Sequence, residues 1–148
     1  MKNFKFTGLE IHNRRMWKWA AVEKALDFID EFGMDALIFH QNDLLDAVVL
    51  PQKYFDEEEM WAYWPIRYCA IGTNGQYIER LLRECTKRGI QFYFEVKEIW
   101  YPPALLEKFP HLRGTDGHVC PSDPFWFEFL SNKVQELTEI FPQMAGMI

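Results

Sequence analysis

Helix ends and strand starts lie almost back to back in this sequence, while strand ends and helix starts lie far apart. That asymmetry constrains the fold more than any other feature. Phe6 to Ile11 reads as a short strand running into the polar pair His12-Asn13. Met16 to Phe32 then carries Trp19, Val22, Leu26, Ile29 and Phe32 at the spacing of one helix face, and Gly33 stops it as a C-terminal glycine does. Ala36 to Phe39 reads as a second strand, ending in His40-Gln41-Asn42-Asp43. The next helix is marked by Ile78, Leu81, Leu82 and Cys85, with Asn74 as the expected N-cap and Gly89 as its stop. Gln91 to Val96 is the third strand. A third helix follows the capping run Ser122-Asp123-Pro124, with Phe127, Leu130, Val134, Leu137 and Phe141 as its stripe. Pro142 ends it, and Ala145-Gly146-Met147-Ile148 opens a fourth strand.

Strand–helix–strand alternation predicts an α/β fold with a parallel sheet. Each return from helix to strand takes only a few residues: Gly33 to Asp35, Gly89 to Ile90, Pro142 to Met144. The forward connections after the second and third strands are roughly 25 to 35 residues, against a usual length of about 2 to 6. The elaboration therefore lies beyond the carboxyl ends of the strands. In (β/α)8 barrels and open parallel sheets alike, that side carries the chemistry.

Polar residues stand at each of these strand ends: His12 and Asn13, then His40, Gln41, Asn42 and Asp43, then Glu95, Lys97 and Glu98. Polar groups gathered where strand ends meet side by side predict a lined pocket, because burying them without partners is costly. The long connections are rich in aromatics, namely Trp61, Tyr63, Trp64 and Tyr68, then Trp100 and Tyr101. Aromatic faces stack on the C–H faces of sugar rings, and Trp100, just past Glu98, is the best placed for it. Gly72-Thr73-Asn74-Gly75 matches neither phosphate-binding nor dinucleotide-binding glycine patterns and reads as a turn into the second helix. No nucleophile elbow, Cys–His pairing or HExxH is present.

Composition narrows the classes further. The 148 residues suit one domain, and 49% hydrophobic with 17% aromatic content is that of a globular chain. No apolar run reaches the roughly 20 residues of a membrane span. The first ten residues lack the apolar core of a signal peptide, so a cytoplasmic location is expected. Cys69, Cys85 and Cys120 are odd in number and widely spaced, which argues against disulfides or structural zinc. A net charge of −6 without a basic cluster makes nucleic acid a poor partner. The acidic run Asp56-Glu57-Glu58-Glu59 is expected to open a helix, where acids complement the dipole.

Gly8-Leu9-Glu10-Ile11-His12-Asn13, Phe32 to Asp43, Phe94 to Trp100, Cys120 to Trp126 and Phe141 to Ile148 together resemble the N-terminal part of the catalytic barrel of α-glucuronidase-like glycoside hydrolases. The resemblance covers the whole chain. It implies a partial (β/α)8 (TIM) barrel over residues 1–148: three βα units plus the start of a fourth strand, the N-terminal portion of a larger catalytic domain. It also implies a sugar-binding cleft at the strand ends, with His12, Asn13, His40, Gln41, Asn42, Asp43, Glu95, Lys97, Glu98 and Trp100 as substrate contacts.

In such enzymes the catalytic acids follow the fourth and later strands. Glycoside hydrolysis needs two carboxyl groups about 5 Å apart for retention, or about 6.5–9.5 Å for inversion. No catalytic residue is therefore assigned, and the chain alone is expected to be inactive. No cofactor and no metal ligand is assigned either. The expected partners are carbohydrate and either a second copy or the remainder of the barrel, since an open sheet leaves an edge and apolar surface exposed. Two alternatives stand beside this reading. One is a non-catalytic sugar-binding or self-assembling partial-barrel module. The other is a metal-dependent sugar isomerase-like barrel, in which His12, His40, Asp43 and Glu95 offer suitable ligand chemistry.

Overall fold

In the computed structural model, which describes residues 4–42, 44–50, 52–97 and 100–148, four parallel strands lie in sequence order. They are β1 (Gly8–His12), β2 (Ala36–His40), β3 (Gln91–Glu95) and β4 (Gly146–Met147), hydrogen-bonded as β1-β2-β3-β4. The α/β class and the parallel sheet expected from the alternation are thus both present. The register sets His12 beside His40 and His40 beside Glu95, so the three strand ends are level.

Successive strand residues point to opposite faces. One face of this sheet, built from Leu9, Ile11, Leu37, Phe39, Phe92, Phe94 and Met147, packs against the helices. Those helices are α1 (Trp19–Phe32), α4 (Pro65–Arg88) and α6 (Phe125–Ile140), which contribute Val22, Leu26, Ile29, Ile78, Leu81, Leu82, Cys85 and Leu137. The phenyl rings of Phe39, Phe92 and Phe94 meet edge to face, with centroids 5.0–5.1 Å apart, an arrangement the ring quadrupoles favour. The opposite face presents Glu10, His12, Ile38, His40, Tyr93 and Glu95, none of which belongs to either hydrophobic core.

The tight returns follow from glycine geometry. Gly33 ends α1 at φ 56° and Gly89 ends α4 at φ 70°, both left-handed, where a Cβ would be strained. Each then hands the chain to a strand within a few residues.

The long forward connections are largely helical. Between β2 and the apolar stripe of α4 lie α2 (Leu44–Val48), α3 (Glu57–Tyr63) and the first turns of α4 itself. Asp56 caps α3 in a capping box with Glu59, as the acidic run predicted. Asn74 does not cap α4, because Pro65 has already begun that helix. Asn74 instead sits mid-helix and donates from Nδ2 to the carbonyl of Ala47, 2.8 Å away. Gly72-Thr73-Asn74-Gly75 is accordingly helical and not a turn.

Between β3 and α6 lies α5 (Pro103–Lys108). The two connections fold onto each other and onto the start of α6, forming a second core of Tyr54, Phe55, Met60, Leu105, Leu112, Trp126 and Phe129. Of the expected stripe, Leu137 and Phe141 are buried and Leu130 packs against the first core, and this contact buries a further flank at the start of α6. Trp126, Phe129, Lys133 and Leu137 are buried, while Phe127 is 75% exposed. Among the described residues, no helix is long and apolar enough to cross a membrane.

Candidate functional site

β1 brings Glu10 and His12 to one face because they are two residues apart on a strand, and the register with β2 adds His40 at the same level. Glu10 Oε1 is the centre of the group. It accepts a hydrogen bond from His40 Nδ1 at 2.5 Å and lies 2.7 Å from His12 Nε2. The two imidazoles sit almost face to face, centroids 4.6 Å apart and tilted by 32°. Glu95, from the next strand, approaches His40 Nδ1 to 3.6 Å. Burial opposes ionisation of Glu10. The hydrogen bond from His40 and the charges of His12, His40 and Lys97 outweigh it, and the carboxyl is held below its ordinary range. His40 is buried, its side chain 8% exposed, whereas that of His12 is 56% exposed, so the cluster has an inner and an outer imidazole.

The cluster opens into a hollow of about 1550 Å³. The hollow runs along the outer edge of β1, with α1 as its other wall, and takes in Asn13, Trp17, Gln41, Asn42 and Lys97. Trp17 is fixed there by its indole N–H, which donates to Gln41 Oε1 at 3.0 Å. Asn13 leaves β1 at φ 53°, a left-handed conformation that Asn tolerates better than most residues. That turn points Arg14 and Arg15 toward the hollow, and Lys24 of α1 completes a basic rim.

Of the residues expected from the sequence, His12, Asn13, His40, Gln41, Asn42 and Lys97 line this hollow, and Glu95 touches it through His40. Asp43 and Glu98 lie outside the described residues. Trp100 belongs elsewhere. It lines a small cleft with Asp46, Val49, Met60, Trp64 and Arg67, and the Arg67 guanidinium covers its ring at 3.9 Å. Its carbonyl accepts a hydrogen bond from Lys133 Nζ at 3.1 Å, which ties it to α6. Trp64, Tyr68 and Tyr101 pack against the second core, so these rings anchor the long connections.

Glu10 was not among the expected site residues, although strand alternation from His12 carries the signal for it. Nothing in the local sequence marks Trp17, Arg14, Arg15 or Lys24, because their place depends on α1 lying alongside β1.

Chemically, the arrangement can do three things. A carboxylate between two imidazoles can pass or accept a proton. Amides and charged groups around it can hold hydroxyl and carboxylate oxygens. Donor atoms of Glu10, His12 and His40, all within 4.8 Å of one another, can also gather around a cation. No protein family, curated protein or solved structure matches this chain.

Proposed function

We propose that the chain is a sector of a (β/α)8-type, glycoside-hydrolase-like barrel and that its strand ends bind an acidic carbohydrate. The observation that carries the reading is the level row His12, His40 and Glu95 at the carboxyl ends of parallel strands, with Glu10 two residues earlier on the same face, away from the helices. In a barrel this face is the interior and these ends form the active-site mouth. Strands in sequence order, with β1 hydrogen-bonded on one side only, leave an edge that a further strand of such a barrel would pair.

The preference for an acidic sugar comes from charge. Among the described residues lining the hollow, Arg14, Arg15, Lys24 and Lys97 face a single acid, Glu10, in a chain whose net charge is −6. A uronate carboxylate suits the basic rim, and Asn13, Gln41 and Asn42 suit ring hydroxyls. Hydrolysis is not part of the proposal, which rests on binding alone: among the described residues, Glu10 is the one carboxyl group that lines the hollow.

Titration of the chain with glucuronate and with glucose, followed by tryptophan fluorescence, tests this. Trp17 lies in the hollow beside Gln41 and reports occupation. The expected result is a saturable change with glucuronate that is weaker with glucose and is lost in Lys97→Ala/Arg14→Ala. Equal, non-saturating responses to both sugars would sink the reading.

A further inference from the structure

We propose that Glu10, His12 and His40 form a binding site for a divalent transition-metal ion at the carboxyl ends of β1 and β2. The proposal goes beyond the carbohydrate reading and stands or falls without it.

Three observations support it. The donor set is two imidazole nitrogens and one carboxylate oxygen, the chemistry that zinc and its first-row neighbours favour over magnesium or calcium. All three donor atoms converge within 4.8 Å, on side chains fixed by strand register and not by loops. The site is also open on one side, because His12 is largely exposed and the hollow lies beyond it.

The spacing is compatible with an ion. Bonds of about 2.0–2.2 Å to a tetrahedral ion place neighbouring donor atoms roughly 3.3–3.5 Å apart. Glu10 Oε1 now sits 2.5 Å from His40 Nδ1 and 2.7 Å from His12 Nε2, drawn together by shared protons. An ion replaces those protons, so the donors must separate by less than about 1 Å, within reach of small side-chain rotations. Glu95 Oε1 lies 3.6 Å from His40 Nδ1 but outside the set of donor atoms that are all within 4.8 Å of one another, so it is a neighbour of the site and not one of its donors. The fourth ligand is water or an oxygen of a molecule in the hollow, which is how open zinc sites engage substrates.

The test uses the full chain and the metal alone, with no sugar present. After chelator treatment and dialysis, Zn²⁺ uptake is measured by atomic emission and its affinity by calorimetry, with Co²⁺ as a spectroscopic replacement. The expected result is one ion per chain and a visible Co²⁺ d–d band. Losing even an outer-shell partner typically costs about 10–100-fold in affinity. His12→Ala and Glu10→Gln should each weaken binding by at least that much. His12 is exposed enough for its replacement to leave the fold intact, which circular dichroism verifies. Cys69→Ser/Cys120→Ser should bind as the parent does, because those exposed thiols lie outside the site. The proposal is overturned if no stoichiometric ion binds, if His12→Ala and Glu10→Gln bind at parent affinity, or if only the cysteine variant loses the ion. Sugar binding that persists in chelator would leave the carbohydrate reading untouched in each of those cases.

Discussion

One carboxylate oxygen shared by two imidazoles gives Glu10 a role that no single sequence motif announces. Its folded-state pKa is depressed, so the folded chain binds fewer protons here than the unfolded chain. Glu10 therefore contributes stability that is full above the ordinary carboxyl value of about 4.3 and is lost as pH falls through the lower folded value. Urea denaturation of the parent and Glu10→Gln across about pH 3–6 checks this. The stability gap between them should shrink at the acid end, and a constant gap would contradict the geometry. The cysteines provide a second residue-scale check. Burial pushes the Cys85 thiol up to about 12, while Cys69 and Cys120 are exposed. A thiol reagent at neutral pH should modify two groups in the native protein and a third only after unfolding. Three fast groups would mean that α4 does not pack on the sheet as described.

At the scale of elements, the least expected feature is Lys133, on α6, whose ammonium meets Asp46 of α2. The side chains are only 2% and 5% exposed, so this is a buried ion pair. Burial drives the Lys133 ammonium toward its neutral form, and the Asp46 carboxylate acts against that. The same ammonium lies 4.6 Å from the centre of the Phe129 ring and bonds the Trp100 carbonyl. One lysine thus joins both long connections to α6. Removing one partner of a buried pair typically costs about 3–5 kcal/mol, whereas apolar replacement of both is often neutral. Asp46→Ala should be destabilised by that order in urea unfolding, and Asp46→Leu/Lys133→Met should recover most of it. A single variant as stable as the parent would show that the pair does not hold the connections.

The elements were legible where the signal is local. Gly33 and Gly89 ended their helices as expected, and Asp56 with Glu59 began one. Asn74 misled because an N-cap residue and a mid-helix amide look alike in sequence. The true start at Pro65 is preceded by Trp64, which makes no side-chain cap. The stripe on α6 holds at Leu130, Leu137 and Phe141 but fails at its first residue, because apolar periodicity sees neither the second core nor a buried lysine. Phe127 looked like core, and Lys133 looked like surface. Trp100 reads as poised for stacking because it stands just past Glu98, yet Arg67, far away in sequence, covers its ring.

At the scale of the whole molecule, the parallel sheet follows from the strand–helix alternation, and the side that carries the long connections follows from their uneven lengths. The site itself was half legible. Strand ends could be read one at a time, but the meeting of Glu10, His12 and His40 needs the cross-strand register. The basic rim needs the placement of α1 against β1. That rim matters because a chain of net charge −6 should repel a sugar acid overall while the hollow attracts it. Uronate affinity should therefore fall as salt rises toward 1 M, where the screening length is only about 3 Å. Glucose affinity, if measurable, should change little, and equal salt sensitivity would argue against charge as the selector.

Amide chemical-shift mapping during a glucuronate titration distinguishes the proposed binding at the strand ends from binding among the loop aromatics. Saturable shifts are expected at Glu10, His12, Asn13, His40 and Gln41, with the amides around Trp61, Trp64 and Trp100 unmoved. Shifts concentrated around those three tryptophans, with the strand ends silent, would contradict the proposed binding.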